Sequence, residues 1–361
     1  MSLPQNLFSA MSKTMAPYSP IEPPDQIAKR LGISEDQIVK LDANENPYGT
    51  LPEAQAAVAK AQYGHIYPDP AQAQLKEAIA RYAGVEPAQV IAGAGADELI
   101  DLVCRLVLEP GDQVLGFSPS FGYYGHVVAL NRGVMINQAR ELDFSIDLKK
   151  AKAIDLKGVK LVLLCSPNNP TGNLVEEAVL DYFLSQDLIV MLDEAYQEFS
   201  QHNFVHKLAG HKNLVILRTF SKCFALAGYR VGYGLMGEEL AQGLMRIKPP
   251  YSVSVPAEVA LKACLAEPEH FKNQVAKLKT ERARALQELA KFPGLTPYPS
   301  QSNFVLVKVA QNAAKLKADL EARGILVRYF NTPELNGYIR ISMGRPEQMD
   351  RLYQTLHLLL A

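Results

Sequence analysis

From about Glu53 onward the chain alternates between two hydrophobic periods. Leu75, Ile79 and Tyr82 fall on one helical stripe, and Leu99, Leu102, Val103 and Leu106 on another. A spacing of three and four turns one face of a helix toward a core. Between and after these stripes stand short apolar runs, Val114–Phe117, Leu161–Leu164, Leu188–Leu192, Leu214–Leu217 and Val231–Met236. Runs without polar alternation belong to strands covered on both faces, which is the condition of a parallel sheet. Helical stripes alternating with such strands predict an α/β layer structure over residues 45–250. The pattern then changes. A charged amphipathic stretch, Pro268–Leu289, leads into SNFVLVKV, a helical segment, GILVRYF and GYIRISMG. Strand, helix, strand, strand is the order of a smaller α+β domain, spanning 251–361, and residues 1–44 form a segment that packs with it and with the intervening cleft.

Composition narrows the class without naming a reaction. A length of 361 residues suits two domains, and 48% apolar with 21% charged residues supplies a large core, which excludes wholesale disorder. Lys plus Arg number 37 against 38 Asp plus Glu, so the basic excess of a nucleic-acid wrapper is missing. No apolar run approaches the length of a membrane span. The opening MSLPQNLFSAMSKTMAPYSP has no basic start followed by an apolar core, so no secretory signal is expected. Cys104, Cys165, Cys223 and Cys264 are widely separated, with no CxxC pair. They read as reduced, buried thiols of a cytoplasmic protein. His202 and His206 have a metal-like spacing but no third ligand, so no metal is expected.

In open α/β sheets ligands collect beyond the carboxyl ends of the strands. Leu188–Leu192 runs into Asp193-Glu194-Ala195-Tyr196, Leu161–Leu164 into CSPNNPTG from Cys165, and Leu214–Leu217 into Arg218-Thr219-Phe220-Ser221-Lys222. After Val90-Ile91 the glycine-rich AGAGADE opens a helix. Gly95, Ala96 and Asp97 suit an anion at a helix N-terminus, because small side chains let it approach free N–H groups. Thr219, Ser221 and Arg230 add hydroxyl and guanidinium donors. A lysine forms an imine with a carbonyl, and an aspartate against a pyridine nitrogen keeps it protonated. Together these are the groups that pyridoxal 5′-phosphate requires. Taken singly, each has a structural reading: a helix cap for Asp193, a solvated surface lysine for Lys222, a turn for Asn168-Asn169-Pro170.

These motifs resemble those of fold-type I pyridoxal-phosphate aminotransferases, and within them the histidinol-phosphate aminotransferases. The likeness runs from LDANENPYG at Leu41 to RISMG at Arg340 and includes Tyr67-Pro68-Asp69, SPNNPTG, DEAY, TFSK and GYRVGY. It implies a large domain with a mostly parallel seven-stranded sheet sandwiched by helices, and a smaller α+β domain. It further implies that Lys222 carries the cofactor as an imine and shuttles the substrate proton. Asp193 would pair with the pyridinium nitrogen, and Asn169 and Tyr196 with the ring oxygen. Phe121 would stack on the ring where the family more often has tyrosine. Gly95, Ala96, Asp97, Thr219, Ser221 and Arg230 would hold the phosphate, joined by Tyr67 from the neighbouring subunit of a homodimer. Arg340 matches the substrate-anion position, while Arg328, Tyr18 and Asn44 match further substrate contacts. Two arginines and a tyrosine favour a phosphorylated amine, histidinol phosphate, with 2-oxoglutarate as the acceptor. Aromatic aminotransferases and threonine-phosphate decarboxylases share most of these motifs and stay open at this point. A nicotinamide dehydrogenase is disfavoured, since the turn from Gly93 to Glu98 lacks its third glycine. A cofactor-binding regulatory module would lack any half-reaction, and an α/β hydrolase would need a G-x-S-x-G that does not occur.

Overall fold

A computed structural model describes residues 7–15 and 22–360; Tyr18 lies outside them. Among the described residues twelve strands run in chain order as β1 (Val39–Leu41), β2 (Val90–Gly93), β3 (Gln113–Ser118), β4 (Val134–Ala139), β5 (Val159–Cys165), β6 (Ile189–Asp193), β7 (Leu214–Thr219), β8 (Gly232–Met236), β9 (Leu295–Pro297), β10 (Phe304–Val309), β11 (Ile325–Tyr329) and β12 (Tyr338–Ser342). They form two sheets, one of seven strands in the order β2-β8-β7-β6-β5-β3-β4 and one of five in the order β1-β11-β12-β10-β9. The expected α/β architecture with a seven-stranded, mostly parallel sheet is the one observed.

Each apolar run became a strand of the large sheet. Every residue of β7 is buried, and in β5 only Lys160 is exposed. Two hydrophobic clusters cover the two faces of this sheet. Val162, Leu164, Leu192 and Ile216 face one, while Leu161, Leu163, Met191 and Leu217 face the other. Burial of each such side chain stabilises by about 1.5–3 kcal/mol, so the sheet is a stiff floor. Two large-sheet strands had no apolar run to mark them. The edge strand β4 is largely open to solvent and carries Asn137 and Gln138, while β2 is only four residues long. The strand β8 is antiparallel to both of its neighbours. Burial on both faces reveals a covered strand but not its direction, and here the parallel expectation fails for this one strand.

The small sheet is antiparallel except that β1, from the N-terminal segment, pairs in parallel with β11. Its long helix is Pro268–Leu289, with Phe271, Val275, Leu278, Arg282, Ala285 and Leu289 on the buried stripe. Arg282 ties the two bodies together, donating from Nη1 to the carbonyl oxygens of Phe199 (3.2 Å) and Ser302 (2.7 Å). The helix Val255–Leu265 packs on the helices Pro52–Ala59 and Ala73–Ala83. A third cluster of Phe144, Leu306 and Leu335 closes the joint at the mouth of the cleft. Among the described residues no helix is long and apolar enough to cross a membrane.

Candidate active site

The carboxyl ends of the parallel strands open onto a cleft of about 760 Å³, roofed by Arg328 and Arg340 of the small sheet and by the loop that follows β11. Of the described cofactor and substrate residues expected from the sequence, all line this cleft except Gly95 and Tyr67. Gly95 stands directly behind it. Tyr67 is 78% exposed and stacks on Tyr251 with ring centroids 4.6 Å apart, away from the cleft of its own chain.

The floor is set by β6. Asp193 ends this strand and is buried. Tyr124 donates its hydroxyl to Asp193 Oδ2 at 2.6 Å, and the backbone N–H of Ala195 donates to Oδ1 at 2.9 Å. Burial pushes the carboxyl up to about 6, while these two donors pull it down. The next residue, Glu194, points to the opposite side, as alternation along a strand requires. There its Oε2 accepts from Arg218 Nε (2.9 Å) and Nη2 (2.7 Å), a buried ion pair that braces β6 against β7. Phe121 meets the Tyr124 ring edge-on at 5.5 Å, so a single aromatic pair supports both the acid and the cleft wall.

At the end of β7 the chain turns through Phe220-Ser221-Lys222. Lys222 Nζ donates to the carbonyl of Ala43 at 3.0 Å. Burial first, and the nearby Arg340 guanidinium second, bring this amine down to about 8. An amine that loses its proton near neutrality is a competent nucleophile.

A candidate anion pocket forms where the helix Ala96–Val107 begins. Gly95 caps it at φ 84°, in the left-handed half of backbone space that glycine enters without steric cost. A Cβ on Gly95 would stand 2.5 Å from Arg230 Nη2, and one on Gly232 would stand 2.7 Å from the Ala96 nitrogen. Gly232 is therefore required for the close approach of the helix start to β8, whereas at Gly95 the positive φ, rather than the movable end of the arginine, is what favours glycine. Ser221 Oγ accepts from Thr219 Oγ1 (3.0 Å) and from Arg230 Nη1 (3.3 Å), while Arg230 Nη2 pairs with Asp97 Oδ2 at 3.2 Å. Hydroxyls, free helix N–H groups and a guanidinium thus converge on one spot.

Opposite, β11 and β12 bring Arg328 and Arg340 into direct cross-strand register. Arg340 donates from Nη1 to Asn169 Oδ1 and from Nη2 to the carbonyl of Asp42, each at 2.6 Å. A guanidinium has no acceptor, so Asn169 presents its oxygen to Arg340 and its NH₂ remains for the cleft. The preceding Asn168 is turned away, donating to the Pro119 carbonyl at 3.0 Å and to Thr171 Oγ1 at 2.7 Å, and it ties the loops together. Asn44 is buried, with its amide nitrogen 2.9 Å from the Tyr196 hydroxyl. Sequence reading missed Tyr124 and Ser342. Tyr124 lies one helical turn past Phe121 and was within reach of a period argument, whereas Ser342 meets Asn44 across 298 positions of sequence.

Residues 36–356 match the aminotransferase class I and II family, and the chain belongs to it. Histidinol-phosphate aminotransferases are prominent among its relatives. The chloroplastic one of Nicotiana tabacum is 44% identical over 95% of this chain and 84% of its own length. That of Roseiflexus castenholzii is 42% identical over 95% of each chain. A solved structure, the histidinol-phosphate aminotransferase of Sinorhizobium meliloti in complex with pyridoxal 5′-phosphate, superposes with a TM-score of 0.87 over 98% of both chains at 29% identity. Membership of this family removes the dehydrogenase and hydrolase alternatives.

Proposed function

We propose that this chain is a pyridoxal-phosphate-dependent aminotransferase that moves the amino group of L-histidinol phosphate to 2-oxoglutarate, giving imidazole-acetol phosphate and glutamate. The names of its relatives support the reading, and one observation carries it. Arg328 and Arg340 stand directly opposite each other across β11 and β12 in the cleft, and like charges in that relation repel. Among the described residues no carboxylate lies within ion-pair distance of Arg328. A dianionic phosphate is the ligand that turns this repulsion into two charge-assisted contacts. A single substrate carboxylate would need only one of the two.

The residues present fit the cofactor. The cradle leaves no room for a Cβ at Gly232, and Gly95 holds a positive φ at the helix start. Asp193 is buried with both oxygens held, as a partner for a pyridinium nitrogen requires. When bound, pyridoxal 5′-phosphate supplies an electron sink for the charge left when the substrate carbon loses its proton. Lys222 Nζ is the amine that would attach the cofactor and, when free, would carry that proton. The Asn169 NH₂ and the Tyr196 hydroxyl hold the ring oxygen, and Phe121 covers the ring face. The N–H groups of Ala96 and Asp97, the hydroxyls of Thr219 and Ser221, and Arg230 bind the phosphate beside Gly95. Tyr18 joins Arg328 and Arg340 on the substrate.

A homodimer completes the site in this reading. The exposed stacked pair Tyr67 and Tyr251 offers an apolar surface, and Tyr67 then reaches the partner's cofactor phosphate. Four unpaired, buried cysteines support a cytoplasmic location, while the tobacco relative is chloroplastic by name.

The test is a half-reaction screen, following loss of the bound cofactor's visible band with histidinol phosphate, phenylalanine and threonine phosphate. Fastest loss with histidinol phosphate is expected. Faster reaction of phenylalanine, or carbon dioxide release from threonine phosphate, overturns the substrate assignment.

A further inference from the structure

We propose that Asn44, clamped by Ser342, is a positioning residue that aims the single proton of the Tyr196 hydroxyl at the cofactor's ring oxygen. The inference rests on the cofactor reading above and is independent of the substrate.

Four contacts determine the direction of each donor. Ser342 Oγ donates to Asn44 Oδ1 at 2.8 Å and accepts from the Asn44 backbone N–H at 2.9 Å. The Asn44 carbonyl accepts from Asn303 Nδ2 at 3.0 Å. With Oδ1 committed to Ser342, the atom that faces Tyr196 Oη at 2.9 Å is the amide nitrogen, which can only donate. The tyrosine oxygen therefore accepts from Asn44, and its own proton is left for a partner on the cleft side. Tyr196 cannot swing aside, because it is 4% exposed and its ring meets Phe304 edge-on at 5.1 Å. Asn44 is itself 1% exposed and holds φ 55°, a left-handed conformation that asparagine enters more readily than most residues. Burial raises the Tyr196 hydroxyl above its ordinary range; the Arg340 guanidinium first, and the donation from Asn44 second, work against that rise, which makes the hydroxyl a stronger donor.

The clamp also crosses the molecule. Ser342 ends β12 of the small sheet and Asn303 immediately precedes β10, while Tyr196 follows β6 of the large sheet. The orientation of a cofactor-facing hydroxyl is therefore set by how the small sheet seats on the large one.

The experiment follows the pH at which the visible band of the bound cofactor titrates, with no substrate present. A well-aimed donor stabilises negative charge on the ring oxygen and so lowers that midpoint. Asn44→Gly removes the side chain while accepting the positive φ, and it should raise the midpoint by about one pH unit, a tenfold change in proton affinity. Asn44→Asp, whose carboxylate takes the tyrosine proton for itself, should raise it further. Ser342→Ala should raise it by less, and Ser342→Thr, which keeps the hydroxyl, should restore it. A purely structural role would lower the melting temperature and leave the midpoint alone. Wild-type midpoints in both Asn44→Gly and Asn44→Asp, with cofactor bound, overturn the proposal. If Asn44→Gly does not fold, Ser342→Ala decides in the same way. A wild-type protein that develops no visible band refutes the cofactor reading together with this one; a normal band with unshifted variants refutes this one alone.

Discussion

Removal of one oxygen atom, in Tyr124→Phe, should move the acid at the floor of the cleft across neutral pH. Asp193 sits near 6 because burial disfavours its charge, and the Tyr124 hydroxyl at 2.6 Å is one of two protein donors that oppose the effect. At pH 7 a group with that value is ionised about ten to one. A hydrogen bond to a charged group is worth about 1.5–3 kcal/mol, and 1.36 kcal/mol is about one pKa unit. Loss of the bond should therefore carry the carboxyl from about 6 to about 7–8. The assay titrates the cofactor-free protein with pyridoxal 5′-phosphate from pH 5.5 to 9 and plots the association constant. Wild-type affinity should fall as the pH drops through about 6, affinity of the variant should fall already through about 7–8, and the two should converge near pH 9. The folding linkage has the opposite sense. The folded carboxyl binds its proton more tightly than the unfolded one, whose value is 3.8, so the cofactor-free fold loses stability as pH rises from about 4 to about 6. The variant extends that loss by a further one to two units, about the shift worked above. Coincident affinity profiles for the two proteins would refute the reasoning.

Other expectations use other parts of the cleft. Arg328→Met should lower kcat/KM for histidinol phosphate by about one to two powers of ten, the worth of a lost charge-assisted contact, and should leave phenylalanine turnover unchanged; equal losses on both would contradict a phosphate role. Lys222 is held down to about 8 by burial and by Arg340, so stopped-flow capture of the cofactor should speed up with pH and level off above about 8. In Arg340→Met the plateau should move to higher pH, and a wild-type plateau near 10 would show that the amine is not depressed. Gly232→Ala sets a methyl 2.7–2.9 Å from backbone atoms of Ala96, Gly95 and Arg218. It should cost about 1–3 kcal/mol in thermal unfolding and weaken cofactor binding, whereas an unchanged melting curve would mean that the cradle yields.

The interior of the large sheet was readable because its strands are covered on both faces and their apolar runs have no other purpose. Pro268–Leu289 was readable for the complementary reason, since one charged and one apolar face mark a helix at any depth. The edge strand β4 was not, because an exposed edge tolerates Asn137 and Gln138 as readily as valine. Strand direction was also invisible, so β8 carried no sign of its reversal. The small-sheet strands β1 and β9, three residues each, are too short to show a period. Within the site, groups that follow strands were found by asking what each run ends in. Tyr124 acts from inside a helix, and Asn44 acquires its orientation from Ser342, whose serine identity carries no chemical signal by itself.

The reversal of β8 has a consequence for how the protein opens. Because β8 begins where β7 ends, the chain between Thr219 and Gly232 leaves the sheet and returns to it at the same rim, carrying Lys222 out and Arg230 back. The proposed covalent tether, Lys222, and the proposed anion clamp, Arg230, therefore belong to one excursion of backbone. It is fastened by Asn46 to the Cys223 carbonyl at 2.9 Å and by Thr50 to the Ala225 carbonyl at 2.9 Å. A ligand that binds only the closed form stabilises it in proportion to the logarithm of its concentration over its dissociation constant. Amide hydrogens of this segment should then exchange with solvent by local unfolding when the cofactor is absent. Once the cofactor grips both ends of the excursion, their exchange should slow toward that of the strands on either side.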